Sequence, residues 1–227
     1  MQAAAAPASS AVAGLKRIGD VPAFTSHIDG FLVQDHDVLN AVLLREIAAR
    51  LKAEKGEMVS NRKGWHSQRD LFDRTEPGFV QLAGHIRSAL VGAARRYVPS
   101  FDIEGQETYL EGWINVNWKG GYNSPHGHSG AHLSGVYYVS VPKAADGGQG
   151  AIEFLNPAGA ITREGDFGKA MVAASVSIAP QPGQILIFPS YLRHWVAPNE
   201  AERERVSIAF NMKVHDSAIE PAPAGDS

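Results

Sequence analysis

Cysteine is missing from the 227-residue chain. Its absence excludes disulfides, thiolate zinc sites, iron–sulfur clusters and cysteine nucleophiles. A metal would have to rest on the nine histidines, on carboxylates or on water. An excess of either charge is missing too. Lys and Arg number 21 against 24 Asp and Glu, a formal charge of −3 with a pI near 6.3. That is not the footprint of a nucleic-acid binder, and no nucleic-acid partner is expected. No apolar run reaches the roughly 18 residues of a membrane-spanning helix, so no membrane partner is expected either. No internal repeat occurs. A secretory pattern is also wanting, because the first basic residue is Lys16 and Pro7, Ser9 and Ser10 interrupt the opening alanines. The expectation is a flexible leader over residues 1–14, a similarly biased tail over 217–227, and a cytoplasmic protein.

What is present supports a packed core. Hydrophobic residues make up 44% of the chain, and 23 Gly with 13 Pro point to many turns and strands. Nothing between about Val21 and His215 reads as a linker. One domain is therefore expected over 15–216, with helical support over about 37–98 and a β core over about 105–214.

Two helices come first. Asp37 can cap a helix through Lys55, in which Leu39, Leu43, Ile47 and Leu51 fall four apart with Val38 and Val42 beside them; Gly56 is a plausible stop. Pro77 suits the first turn of a second helix to Tyr97, with Phe79, Leu82, Ile86, Leu90 and Ala93 on its buried face and Pro99 beyond its end. The polar stretch GWHSQRDLFDRTEPG between them reads as a loop. After Pro99 the period changes to two. Candidate strands are Glu107–Trp118, His132–Val141, Ala151–Leu155, Met171–Ile178, Gln184–Phe188, His194–Val196 and Glu204–Val214, separated by KGGYNSP, DGGQG and PQPGQ. Short strands with such punctuation predict a sandwich, barrel or jelly roll, one apolar face of which the helices cover.

The last strand carries most information. Val206, Ile208, Phe210 and Met212 share one face, and Arg205, Ser207, Ala209 and Asn211 share the other. If the apolar face lies under the helices, Arg205 and Ser207 point inward. A buried guanidinium is costly unless an anion meets it, which predicts an internal acid or a bound carboxylate or phosphate. Earlier in the chain, His126 and His128 stand two apart, and on an extended segment both project to one side. Imidazole suits Zn, Fe, Cu or Ni. Much later, LIFPSYLRH delivers His194 from a hydrophobic strand and a proline turn, 11 residues before Arg205.

The ordered set HxH, SGVYYV, G-x-I-E-F, LIFPSYLRHWV and ERVSIAFN resembles the 2-oxoglutarate/iron(II)-dependent oxygenases, closest to a bacterial branch with the same HxH and SGVYYV pattern. The likeness covers about Trp113 to Lys213. It implies a mainly β, α+β fold: a double-stranded β-helix, the cupin-like jelly roll, with N-terminal helices packed on one sheet. It implies Fe(II), with 2-oxoglutarate and O₂ as cosubstrates, and hydroxylation of a small-molecule or peptide substrate with release of succinate and CO₂. By position, His126 and His194 match the two metal-binding histidines. Arg205 matches the clamp for the distal carboxylate of 2-oxoglutarate, and Ser207 its hydroxyl partner. Tyr138 stands where related hydroxylases contact that carboxylate, and Asn117 falls near a cosubstrate-contacting position.

One departure matters. Most of the superfamily has a carboxylate two residues after the first histidine, and here His128 stands there. His128 can be the third ligand, it can stand aside and leave a two-histidine site, or an acid such as Glu153 can reach in; the i, i+2 spacing favours the first. His132 reads as structural or as a neighbour of the ligands. Trp113 and Trp118 read as packing, Tyr137 as lying under a helix, and His27, His36, His66, His85 and His215 as surface or satisfied core histidines. Loops Gly56–Gly78 and Asn156–Gly168, with Arg69, Arg74 or Arg163, are candidate pocket covers. A three-histidine cupin-like enzyme not using 2-oxoglutarate, and a non-catalytic binding module, are the rival classes; neither the prime substrate nor the oligomeric state is readable.

Overall fold

The structure, a computed structural model, describes residues 24–142, 149–158, 165, 166, 168 and 172–215. The expected leader and tail, and Arg163, lie outside these. The chain runs through β1 (Asp29–Leu32), α1 (His36–Ala53), β2 (Asn61–His66), a 3₁₀ turn (Leu71–Asp73), α2 (Pro77–Ala94), β3 (Glu107–His126), β4 (Leu133–Ser140), β5 (Ile152–Leu155), β6 (Ser175–Ile178), β7 (Gln184–Pro189), β8 (His194–Asn199) and β9 (Arg205–His215). The strands form one antiparallel sheet in the order β1-β7-β4-β9-β3-β8-β5-β6, with β2 also on β3. The sheet curls on itself, as a jelly roll does.

The curl is made in β3. Its first part pairs with β9, from Glu107↔His215 to Asn117↔Arg205. Its last part leaves β9 and pairs with β8, ending at His126↔His194. Between them, KGGYNSP was expected to be a turn, but the strand continues through it as a bulged bend. Gly120 takes φ +73°, and a Cβ on Gly121 would lie 2.5 Å from the Lys63 carbonyl oxygen. Two glycines thus let the backbone fold sharply without giving up its partners.

The alternation along the strands sorts side chains into two cores. Tyr137, Val139, Ile185, Ile187, Val206, Ile208, Phe210 and Met212 pack with Leu39, Leu43, Ile47, Phe79, Leu82, Ile86 and Leu90 of the helices. Val136, Tyr138, Ile152, Phe154, Leu186 and Phe188 form a second cluster inside the curl. The last strand therefore lies as its pattern predicted: Arg205 and Ser207 face the interior and are buried.

Three local expectations need correcting. The cap of α1 is Asp35, not Asp37, and Val38 is exposed, because the buried stripe runs through Asn40 and Arg50 instead. Arg50 is satisfied there by Glu54 and Asp70. The first turn of α2 is capped from outside: Glu46 of α1 accepts from the backbone N–H of Gly78 (3.0 Å) and Phe79 (3.2 Å), a carboxylate placed at the positive end of the helix. The supposed loop before α2 contains β2, whose Trp65 and His66 are buried.

Helix and sheet are pinned by one buried hydrogen bond, from the Tyr137 hydroxyl to Asn40 Oδ1 at 2.6 Å. Tyr137→Phe strands the amide oxygen, and a stability loss of about 1–3 kcal/mol is expected in equilibrium denaturation. A change within error would show that water replaces the hydroxyl at no cost.

Candidate functional site

His126 ends β3 and His194 begins β8, as direct partners across the ladder. His128 follows in the turn after β3, its backbone N–H held by the Ser190 carbonyl at 3.1 Å. One ligand-capable nitrogen from each of the three lies within 4.8 Å of the others. Ring centroids are 4.5 Å (His126–His194), 5.1 Å (His126–His128) and 5.3 Å (His128–His194) apart. Two of the rings are oriented alike. His126 Nδ1 donates to the Ser124 carbonyl (2.7 Å) and His194 Nδ1 to the Leu192 carbonyl (2.9 Å). A proton fixed on Nδ1 leaves Nε2 with a free lone pair, the arrangement of a metal-binding histidine.

Electrostatics point the same way. Burial lowers all three imidazoles; His194 is pushed to about 4 and His128 to about 3, the second helped by the neighbouring His194, His126 and Arg69. The rings are thus neutral at pH 7, the form that binds a cation. Such a cluster of bare lone pairs fits a divalent metal that accepts imidazole.

No carboxylate joins the cluster among the described residues. Glu153 faces the other way and accepts from the Trp195 indole N–H at 2.8 Å, so the idea that it reaches the metal fails. His132 is structural: its Nδ1 accepts from the Val214 backbone N–H at 3.1 Å.

The same cavity holds an orphaned cation. Arg205 is 2% exposed. Its Nε donates to the Gly150 carbonyl (3.1 Å) and its Nη1 to Ser207 Oγ (3.1 Å), and its Cζ lies 5.2 Å from the Tyr138 ring centre. No acid pairs with it among the described residues. The Tyr138 hydroxyl is likewise buried, beside Arg205, with no acceptor for its proton, and burial pushes it up to about 12, so it keeps that proton to donate. Both groups keep N–H or O–H donors to spare beside the space that Asn115, His126, His128, His194 and Ser207 also line. A bound carboxylate fits them.

The structure thus brings His126, His128, His194, Arg205, Ser207 and Tyr138 to one cavity. Asn117 is not on its wall. Its amide nitrogen turns to Asn123 (3.3 Å), while Asn115, two residues earlier on the same face, lines the cavity. Sequence reasoning also passed over Trp113, which lies 5.8 Å from His128, stacks on His66 at 5.5 Å, and carries Arg69 over its ring at 4.9 Å. Arg74 is not at the rim; it pairs with Glu76 and Asp70. Trp118 is partly exposed, away from this cavity.

Comparison with known proteins agrees with this geometry. Residues 111–211 match the family described as "Putative 2OG-Fe(II) oxygenase". The fold is similar to that of a Pseudomonas putida prolyl-4-hydroxylase (17% identity, TM-score 0.60, 84% of this chain and 94% of that one). It is also similar to HygX from Streptomyces hygroscopicus, solved with nickel, 2-oxoglutarate and hygromycin B (15%, 0.55, 83% of each). A third is the α-ketoglutarate-dependent epimerase SnoN of nogalamycin biosynthesis (13%, 0.57, 89% and 87%). No curated protein matches in sequence. The jelly roll and the oxygenase likeness read from the sequence both hold.

Removing any of the three imidazoles should be felt by the metal. His126→Ala and His194→Ala are expected to retain no iron above background after dialysis. His128→Ala is expected to bind iron more than about 100-fold more weakly, since even supporting residues of metal sites cost 10–100-fold. Wild-type affinity in His128→Ala, measured by competition with a chelator, would mean a two-histidine site.

Proposed function

We propose that the protein is an iron(II)- and 2-oxoglutarate-dependent oxygenase that hydroxylates a C–H bond of a small molecule or peptide. The observation that carries this reading is the buried guanidinium of Arg205, without an acid partner among the described residues, in the same cavity as three convergent imidazoles. A cupin-like enzyme working without 2-oxoglutarate would need the imidazoles and have no use for the guanidinium.

His126, His128 and His194 would hold the metal on one face, leaving the other open. Bound iron(II) with O₂ supplies oxidative decarboxylation of 2-oxoglutarate to succinate and CO₂, coupled to oxidation of the substrate. The chain's own residues bind and orient. Arg205 is planar and fixed in direction by Gly150 and Ser207, so its remaining N–H groups form a fork for one carboxylate. The Tyr138 hydroxyl donates to the same group. Phe154 and Phe188 lie against His194, with ring centres at 5.6 and 4.9 Å, and keep water from that side. Exclusion of water strengthens each charge–dipole contact within the cavity. Three neutral ligands, where most relatives of the superfamily have two and a carboxylate, would leave the iron with a higher net charge.

The cosubstrate relieves a cost carried by the folded protein. A ligand that binds only the native state raises its stability with concentration, and here it also neutralises a buried cation. 2-Oxoglutarate is expected to raise Tm in the wild type and not in Arg205→Ala, which should keep its iron but make no succinate. Arg205→Lys should not restore turnover, because an ammonium lacks the fork. Tyr138→Phe should raise KM for 2-oxoglutarate about fivefold, the effect of one hydrogen bond of about 1 kcal/mol. Unchanged succinate formation by Arg205→Ala would overturn the assignment.

A further inference from the structure

On the far side of His128 from the guanidinium, a second cavity of about 370 Å³ opens to solvent. His128 lines both spaces. The inner faces of β3 and β9 run continuously from one to the other, from Asn117↔Arg205 through Asn115↔Ser207 and Trp113↔Ala209 to Glu111↔Asn211 and Tyr109↔Lys213. A molecule in the outer cleft therefore lies beside the candidate metal ligands.

The cleft is positive in a protein of net charge −3. Arg69 and Lys213 line it, beside the His215 imidazole, against a single acid, Glu111. That acid is already engaged: Glu111 Oε1 accepts from Arg69 Nη1 at 2.9 Å and from Asn211 Nδ2 at 2.6 Å. Lys213 is exposed and has no ion-pair partner among the described residues. Glu107 stands opposite His215 across the strand pair and is not on the cleft wall. The remaining wall, Gly127 to Ala131 with Tyr109, carries no charged group, the His128 ring being neutral at pH 7. Arg69 is held in place twice, by Glu111 and by the face of Trp113, so its guanidinium is oriented before any ligand arrives.

We propose that this cleft receives the prime substrate, and that the substrate carries an anionic group, a carboxylate or phosphate ester, held between Arg69 and Lys213 while the bond to be oxidised lies toward His128. The proposal rests on the oxygenase reading above and adds the chemical class of the substrate.

The test is calorimetric titration, under nitrogen, of enzyme holding Fe(II) and saturating 2-oxoglutarate. The probes are the N-acetyl amides of aspartate, O-phosphoserine, asparagine and lysine. The aspartate or phosphoserine amide is expected to bind at least about fivefold more tightly than the asparagine amide, and the lysine amide most weakly. Whichever anion binds better identifies carboxylate or phosphate. Lys213→Ala should remove about fivefold of that affinity, the effect of a partly exposed charge contact of about 1 kcal/mol. Equal affinities, a preference for the lysine amide, no binding by any probe, or an unchanged preference in Lys213→Ala would each overturn the proposal. Failure of 2-oxoglutarate itself to bind in the first titration rejects the oxygenase reading instead, so the two failures are separable.

Discussion

A guanidinium enclosed by protein, with no acid to meet it among the described residues, sets the terms for this molecule. Taking an ion out of water costs several kcal/mol even after relaxation. Arg205 carries that cost with a carbonyl, a hydroxyl and the Tyr138 side chain for company. The strand that holds it has no freedom to turn it outward. Val206, Ile208, Phe210 and Met212 are committed to the core beneath the helices, and a strand side chain one place along must face the opposite way. Burial of one face of β9 under α1 and α2 thus forces the cation into the cavity. The helices, remote from the cavity, are what hold the guanidinium inside it.

The convergence of the three imidazoles depends on a second constraint, the bend of β3. The first part of this strand presents Trp113 and Asn115 to the cavity, and its last part brings His126 against His194 on β8. Gly120 and Gly121 make the bend possible. Two of the imidazoles are then aimed by backbone carbonyls. The third, His128, has packing in place of such a bond: it rests between Trp113 and His194, and Trp113 is itself held between His66 and Arg69. One aromatic side chain therefore connects the outer cleft with the ligand set.

Much of this was legible without coordinates, and the reasons are physical. The period-two pattern of ERVSIAFNMKV fixes which residues share a face, so the inward direction of Arg205 and Ser207 followed once helices were expected to cover the apolar side. The HxH spacing and the His194 turn likewise depend on local geometry. What could not be read depends on long-range pairing. β2 is polar in sequence and becomes a strand only by lying against β3. Asn115 and Asn117 share a face, and which of them meets the cavity is decided by where β3 bends. Glu153 and Trp195 found each other across β5 and β8, which no spacing announces. The glycine pair was read as a turn because glycine marks both a turn and a bulge.

The central claim is that one cavity holds a metal on three imidazoles and a carboxylate on Arg205. An anaerobic crystal structure of the protein with Fe(II) and 2-oxoglutarate tests it most directly. The predicted result is iron bound by His126, His128 and His194, with the distal carboxylate of 2-oxoglutarate on Arg205 and the Tyr138 hydroxyl. Iron bound elsewhere, or Arg205 paired with an acid of the chain itself while 2-oxoglutarate is absent from the cavity, would contradict it.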